Sequence, residues 1–224
     1  MNSLNPDIFL FFSDLHKNNS RNWFKHQKNR FKGLESSVKE FAEEVKNKIL
    51  LKDLVDKVKL FRIYRDVRFS KDKTPYKTHF GISIHRVKPL YRGGYYIQIM
   101  PGSSFIACGF WNPNKEDLLR IRKEFEIDIS DFKKIIEDPS FLNIWGGIEG
   151  EEVKTAPRGF SKYHKNINLI KKKTFLFIKK YNDNEVLSKD FMNNILNDFT
   201  SIRPFFDYMS NVLTTDLNGV SIFD

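Results

Sequence analysis

Cysteine is nearly absent from this chain of 224 residues, since Cys108 is the only one. A lone cysteine excludes a framework of internal disulfides and any metal site built from several thiolates, and it fits a reducing compartment. No stretch reaches the roughly 20 apolar residues of a membrane helix. The apolar N-terminal segment lacks a basic flank and a small-residue cleavage site, so it does not read as a signal peptide. We therefore expect a cytoplasmic protein without membrane contact.

The sequence also lacks the common signatures of cofactor chemistry. It has no glycine-rich phosphate loop, no dinucleotide fingerprint, no serine nucleophile elbow and no metal motif of the HExxH type. We accordingly predict no cofactor and no dedicated metal site. No linker rich in proline, glycine or serine and no repeat divides the chain, so a single domain over residues 1–224 is expected.

Apolar residues are plentiful, at 40% of the chain, and 22 of them are phenylalanines, which is ample for a core. Near both ends these residues recur every three or four positions, the spacing of amphipathic helices. The spacing predicts a short helix ending near His16, a long one from Ser20 to Ile49, two after Pro113, and a final pair beginning at Ser188 and Pro204.

The middle of the chain changes to a period of 2, which is typical of half-buried strands. The alternating runs predict strands at 58–60, 61–69, 80–84, 95–99, 105–109 and 174–180. Short turn segments separate the later runs and favour antiparallel pairing, because parallel neighbours need long crossovers. We predict an α+β fold with a central antiparallel meander flanked by N- and C-terminal helices.

The net charge of +10 is unevenly distributed, because residues 57–92 contain eleven basic and two acidic side chains. A solvated surface explains scattered lysines well, whereas clustered arginines favour a surface that binds an anion. If residues 61–69 form a strand, Arg65 shares a face with apolar residues, while Arg62 and Arg68 point to the other face. Arg65 then needs an anion, either in a structural ion pair with an acid such as Asp66 or in a binding site.

Candidate functional residues come from this basic block and from a second segment near residue 160. The ligand-binding candidates are Arg62, Arg65, Arg68, Lys73, Lys77 and Arg158. His79 and His164 are the candidates for general acid or base chemistry, because a proton donor is needed near stabilising cations. We expect Arg158, Gly159 and His164 to lie beside residues 62–79. Nothing in the sequence supplies a nucleophile.

Four strings of residues resemble the bacterial and fungal domain of unknown function 2461 family, over nearly the full chain. The strings are Leu15 with Asn18, Asn19, Arg21, Trp23, Phe24 and His26; FRIYRDVRFSKDKTPYKTHFG at 61–81; Gly109 to Trp111 with Pro113, Ile121 and Arg122; and Ala156 to Phe160 with His164. In the last string, Tyr163 and Lys165 stand where the family pattern has an acid and a proline. The resemblance implies no particular activity.

Three functions remain compatible with the sequence. The basic block could form a pocket for a phosphorylated or carboxylated small molecule, or an open face for nucleic acid without sequence preference, with tyrosines as stacking surfaces. The third alternative is a structural or interaction protein whose arginines are paired with acids. A pocket directs the arginines inward, whereas a nucleic-acid face spreads them along a groove.

Overall fold

The structure of the chain is a computed structural model that describes residues 3–223. The helices in this range are α1 (Asp7–Lys17), α2 (Arg21–Ile49), α3 (Lys115–Ile127), α4 (Ser130–Ile136), α5 (Pro139–Trp145), α6 (Ile167–Ile170), α7 (Asp183–Leu187), α8 (Phe191–Ser201) and α9 (Arg203–Thr214). The strands are β1 (Val55–Leu60), β2 (Phe80–Arg86), β3 (Gly94–Ile99), β4 (Ser104–Phe110) and β5 (Phe175–Tyr181).

The five strands form one antiparallel sheet in the order β1-β2-β3-β4-β5, with helices on its N- and C-terminal sides in sequence. This confirms the predicted α+β meander. The strand predicted at 61–69 is wrong, because β1 ends at Leu60 and the following residues are irregular up to β2. The short helices α5 to α7 were not predicted, since fewer than about two turns give little periodic signal.

The first two helices are fixed by local chemistry. The Ser20 hydroxyl accepts a hydrogen bond from the Trp23 N–H over 3.3 Å and so caps α2. Arg30 of α2 donates from Nε to Asp7 over 2.9 Å and from Nη1 to Asp14 over 3.1 Å, both on α1. The Arg30 guanidinium lowers the pKa of Asp7 through this hydrogen bond. The two helices are therefore joined by a charged fork as well as by apolar packing.

The described residues group into two compact units, the first made of 3–84, 96–106 and 180–197. Inside it, Phe80 of β2 packs against Phe12 of α1 and Phe31 of α2, with ring centroids 4.9 and 5.8 Å apart. The Phe80 side chain of β2 thus faces these helices.

The second unit consists of residues 85–95, 107–179 and 198–223. Its core is also aromatic, since the Tyr95 ring of β3 lies 4.7 Å from Phe199 and 5.1 Å from Phe206. Cys108 of β4 is fully buried, and burial raises the pKa of its thiol well above the usual value. That environment suits a small core residue better than a nucleophile. The expectation of a single domain stays a prediction.

Between residues 3 and 223, no helix is both long enough and apolar enough to span a membrane.

Candidate anion-binding site

Residues 61–79 form an irregular loop that folds back on itself between β1 and β2. The Arg65 N–H donates to the Pro75 carbonyl over 2.9 Å. The Lys77 N–H donates to the Ile63 carbonyl over 2.8 Å. These two bonds hold the outgoing and returning limbs together, so the cations of this loop have defined positions although it is not a strand.

Asn19, in the short connection between α1 and α2, clamps the returning limb. Its side-chain Nδ2 donates to the Tyr76 carbonyl over 2.9 Å, and its Oδ1 accepts from the Tyr76 N–H over 3.2 Å. The Tyr76 ring also stacks on Phe24 of α2, with centroids 4.1 Å apart. Two of the strings that carry the family resemblance therefore meet here, through one amide and one ring.

Arg65 is engaged inside the loop. Its Nη1 donates to the Asp72 carboxylate and to the Thr74 hydroxyl, and its side chain is half-buried. The Thr74 backbone N–H, followed by Arg65, lowers the pKa of Asp72 to about 2, so this carboxylate is charged at neutral pH. Of the two alternatives for Arg65, the structure has an ion pair, made with Asp72 rather than with Asp66.

Arg68 and Lys73 also have partners within the loop. The Arg68 guanidinium forms a fork with Asp66, with Nε to Oδ1 at 3.0 Å and Nη2 to Oδ2 at 2.7 Å. This pair is open to solvent, because the Arg68 side chain is 77% exposed. Lys73 donates from Nζ to the Val67 carbonyl over 2.9 Å. These side chains shape the loop tip.

Two lysines of this region lie beside one ring, that of Phe61. Lys59 Nζ lies 5.2 Å and Lys77 Nζ 5.5 Å from the Phe61 ring centroid. Within residues 3–223, the side chains of Lys59, Lys77 and Arg62 make no hydrogen bond and no ion pair. Burial, then the charges of Arg62 and Lys59, lower the pKa of Lys77. The positive charges of Arg62 and Lys59 therefore act on Lys77, while the charge of Arg62 also acts on the Asp66 carboxylate.

His79 completes this group, which we call the Phe61 cluster: Lys59, Phe61, Arg62, Lys77 and His79. The imidazole is half-buried just before β2. Burial and then the charge of Lys77 lower the pKa of His79, so the ring is neutral at pH 7. A neutral imidazole can accept a proton or donate one hydrogen bond.

Arg158 and His164 belong to the second unit. Arg158 is exposed in a turn, followed by Gly159 with φ of +87°, a value that favours glycine. The His164 Nδ1 accepts a hydrogen bond from the Asn166 N–H over 3.1 Å, which places the ring proton on Nε2. The predicted proximity of these residues to the basic block stays a prediction.

The sequence-based candidates Arg62, Lys77 and His79 lie in the Phe61 cluster, and their role there stays a prediction. Two further members, Lys59 and Phe61, were not among the candidates. Lys59 was counted only as charge, and Phe61 was assigned to a buried face. A signal existed, since residues two apart in an extended segment point to the same side. The position of Lys77 beside that ring could not be read in the same way, because it depends on how the loop folds back.

We expect Arg65→Ala to lower the free energy of unfolding by about 1–2 kcal/mol, since it removes charged hydrogen bonds that join the two limbs of the loop. Arg68→Ala is the matched control and should change the free energy of unfolding far less, because the Arg68 pair is open to solvent. Urea unfolding of both variants measures the difference. Equal losses would show that Arg65 does not hold the loop.

The fold and the site define an α+β protein with a five-stranded antiparallel meander and a basic loop between β1 and β2. The chain belongs to the family described as conserved hypothetical protein (DUF2461), whose model matches residues 7–208. No curated protein and no solved structure matches the chain.

Proposed function

We propose that the Phe61 cluster binds the phosphate or carboxylate group of a small anionic ligand. The observation that carries the proposal is that Lys59 and Lys77 flank the Phe61 ring and the charge of Arg62 acts on Lys77, while none of these three cations forms an ion pair within residues 3–223. Asp66, whose carboxylate is influenced by the charge of Arg62, forms its ion pair with Arg68 instead. An anion placed among these cations would relieve their mutual repulsion.

The other cations of the block have a supporting role in this proposal. Arg65, Arg68 and Lys73 fix the loop that carries Arg62 and Lys77, and we do not assign them to the ligand. His79 is the candidate for proton transfer at this site. Because its pKa is lowered, it is uncharged at neutral pH and suited to act as a base before it acts as an acid.

Replacement of Lys77 tests the proposal. We expect Lys77→Gln to weaken the binding of pyrophosphate at low salt by about tenfold or more, since a charge-assisted hydrogen bond is lost. The melting temperature of the unliganded variant should not fall, because one of the mutually repelling charges has been removed. Isothermal titration and thermal melts provide the two measurements.

Lys28→Gln is the control, since Lys28 is an exposed lysine on α2 with no acidic partner among the described residues. It should leave pyrophosphate binding unchanged. Equal affinity of Lys77→Gln and the parent chain, or no binding of pyrophosphate by the parent at low salt, would refute an anion site at the Phe61 cluster.

Nucleic-acid binding without sequence preference is the second candidate. Phe69, at the loop tip, is 97% exposed, and the Arg68 guanidinium lies 5.9 Å from its ring centroid. Tyr64 is exposed as well. Exposed rings beside cations are the features of surfaces that bind single strands. Such binding would weaken with salt, with a log–log slope of about −0.7 per contacted phosphate.

A further inference from the structure

Three consecutive β-turns make up residues 157–167 of the second unit, which we call the turn loop. In the first turn the Phe160 N–H donates to the Pro157 carbonyl over 3.1 Å. The second is closed from His164 to the Ser161 carbonyl over 3.2 Å, and the third from Ile167 to the His164 carbonyl over 3.0 Å. The path of this loop is therefore fixed by its own backbone hydrogen bonds.

Each of the three turns has a cation at its second position. These cations are Arg158, Lys162 and Lys165, and all three side chains are exposed. Gly159 occupies the third position of the first turn with φ of +87°, as a type II turn requires, so Arg158 stands at the corner of that turn. The loop thus presents one positive charge per turn.

The turn loop is attached to α3 near both of its ends. Lys123 of α3 lies with its Nζ 5.0 Å from the Phe160 ring centroid. At the other end, Asn166 donates from Nδ2 to the Phe125 carbonyl of α3 over 3.1 Å and from its N–H to His164 Nδ1 over 3.1 Å. The exposed cations are therefore carried by an ordered backbone, which reduces the entropy lost when a ligand binds.

The charge of the turn loop is not neutralised by acids of the same region. No acidic residue occurs between positions 152 and 183. Lys173, beyond the loop, pairs with Glu151, with Nζ and Oε2 2.7 Å apart. The three turn cations form no ion pair within residues 3–223, although the charge of Lys165 acts on the Asp128 carboxylate. A surplus of positive charge consequently faces the solvent here.

Tyr163 adds an aromatic ring to this surplus. It occupies the third position of the middle turn and is 84% exposed. Lys162 Nζ lies 4.8 Å from the Tyr163 ring centroid, and no other aromatic ring of the described chain contacts it. The Tyr163 N–H donates to the Ser161 hydroxyl over 3.2 Å, which holds the backbone beneath the ring. A large ring surface is thus open to solvent between exposed cations.

A single-stranded nucleic acid has the complementary chemistry. Its phosphates repeat along the strand and are ligands for arginine and lysine, and its unpaired bases stack on exposed aromatic rings whatever their identity. An acidic peptide would use the cations but not the ring. A duplex would keep its bases stacked against one another, where Tyr163 cannot contact their faces.

We propose that the turn loop binds single-stranded nucleic acid, with phosphates on Arg158, Lys162 and Lys165 and one base on Tyr163. The inference is independent of the anion site at the Phe61 cluster, and it concerns different residues from the loop tip at Phe69. The competing explanation is that these charges only solvate an exposed loop.

Fluorescence anisotropy of a labelled deoxythymidylate dodecamer, titrated with the full chain at several salt concentrations, tests the charges. Three contacted phosphates at about −0.7 each predict a log–log slope of about −2 for affinity against salt. Joint replacement by Arg158→Gln, Lys162→Gln and Lys165→Gln should weaken binding at low salt at least about tenfold and bring the slope close to zero. Lys28→Gln, at an exposed lysine of α2, is the control and should leave affinity and slope unchanged.

The ring is tested by Tyr163→Leu, which removes a stacking surface but no charge. We expect it to weaken binding about tenfold while the salt slope stays the same. Phe69→Leu, at the exposed ring of the first unit, should have no effect on this binding. Because all the replaced side chains are exposed, every variant should melt at the temperature of the parent, and thermal melts check this.

The outcomes separate the explanations. No binding of the dodecamer at low salt, or binding that ignores salt, would overturn the inference. So would a loss in Phe69→Leu without one in Tyr163→Leu, because the strand would then lie on the loop tip of the first unit. Polyglutamate or a duplex that binds as tightly as the dodecamer would overturn it as well. A uridylate dodecamer names the source: tighter binding than deoxythymidylate supports RNA, and weaker binding supports single-stranded DNA.

Discussion

Arg86→Ala is expected to lower the free energy of unfolding by about 3–5 kcal/mol, the range for breaking a buried charged network. The Arg86 side chain is fully buried. Its Nη1 donates to the Arg92 carbonyl over 2.9 Å and to the Ser210 hydroxyl over 3.1 Å. Its guanidinium lies 4.7 Å from the Phe206 ring centroid. Alanine would leave a cavity and unpaired acceptors among these groups.

Chemical denaturation at constant pH measures this loss. Arg68→Ala is the control, because the Arg68 side chain is largely exposed to solvent. Both arginines have a carboxylate partner, since Arg86 Nη2 lies 3.5 Å from Asp207 and Arg68 pairs with Asp66. They differ in burial, so the difference between the variants reports burial rather than charge alone. A loss below about 1 kcal/mol for Arg86→Ala would show that the site relaxes or admits water.

Gly109→Ala is the second change for which we expect a large effect, a loss of more than about 3 kcal/mol. Gly109 of β4 has φ of +143°, which side chains rarely adopt. A Cβ atom there would lie 2.0 Å from the Phe175 carbonyl oxygen and 3.0 Å from the Leu176 Cα. Both atoms are backbone of β5, so the strand itself would have to move.

Gly102→Ala separates the two causes. Gly102 also has a positive φ, +67°, but a Cβ atom there would meet nothing within 4 Å. Its substitution should cost only the conformational strain, about 1–2 kcal/mol. Thermal or urea unfolding of the two variants gives the comparison. Similar losses at both positions would mean that β5 moves away from β4 at little cost in free energy.

Periodicity was sufficient to predict most of the fold. The stripe of apolar residues located α2 because a helix of 29 residues repeats its pattern many times. The meander β2 to β4 was predicted because its turns are short and rich in turn-forming residues. Both signals are local in the sequence, so they can be recognised without knowing which distant residues are in contact.

The alternation at 61–69 was misleading for a physical reason. A strand needs a partner that supplies a continuous ladder, and the returning limb contains Pro75, which has no N–H to donate. The exposed Phe69 in this segment shows that an alternating pattern alone does not create a buried face. Pairing of Arg65 with Asp72 follows from how the loop folds, which the sequence does not encode in any repeating form.

Asn19 gives the loop a chemical weakness of its own. Its amide both donates to and accepts from the backbone of Tyr76, so it acts as a one-residue substitute for a neighbouring strand. Deamidation would turn the donor Nδ2 into an oxygen, and that oxygen would face the Tyr76 carbonyl with negative charge. Ageing of a sample at alkaline pH would therefore release the returning limb of the loop and, with it, Lys77.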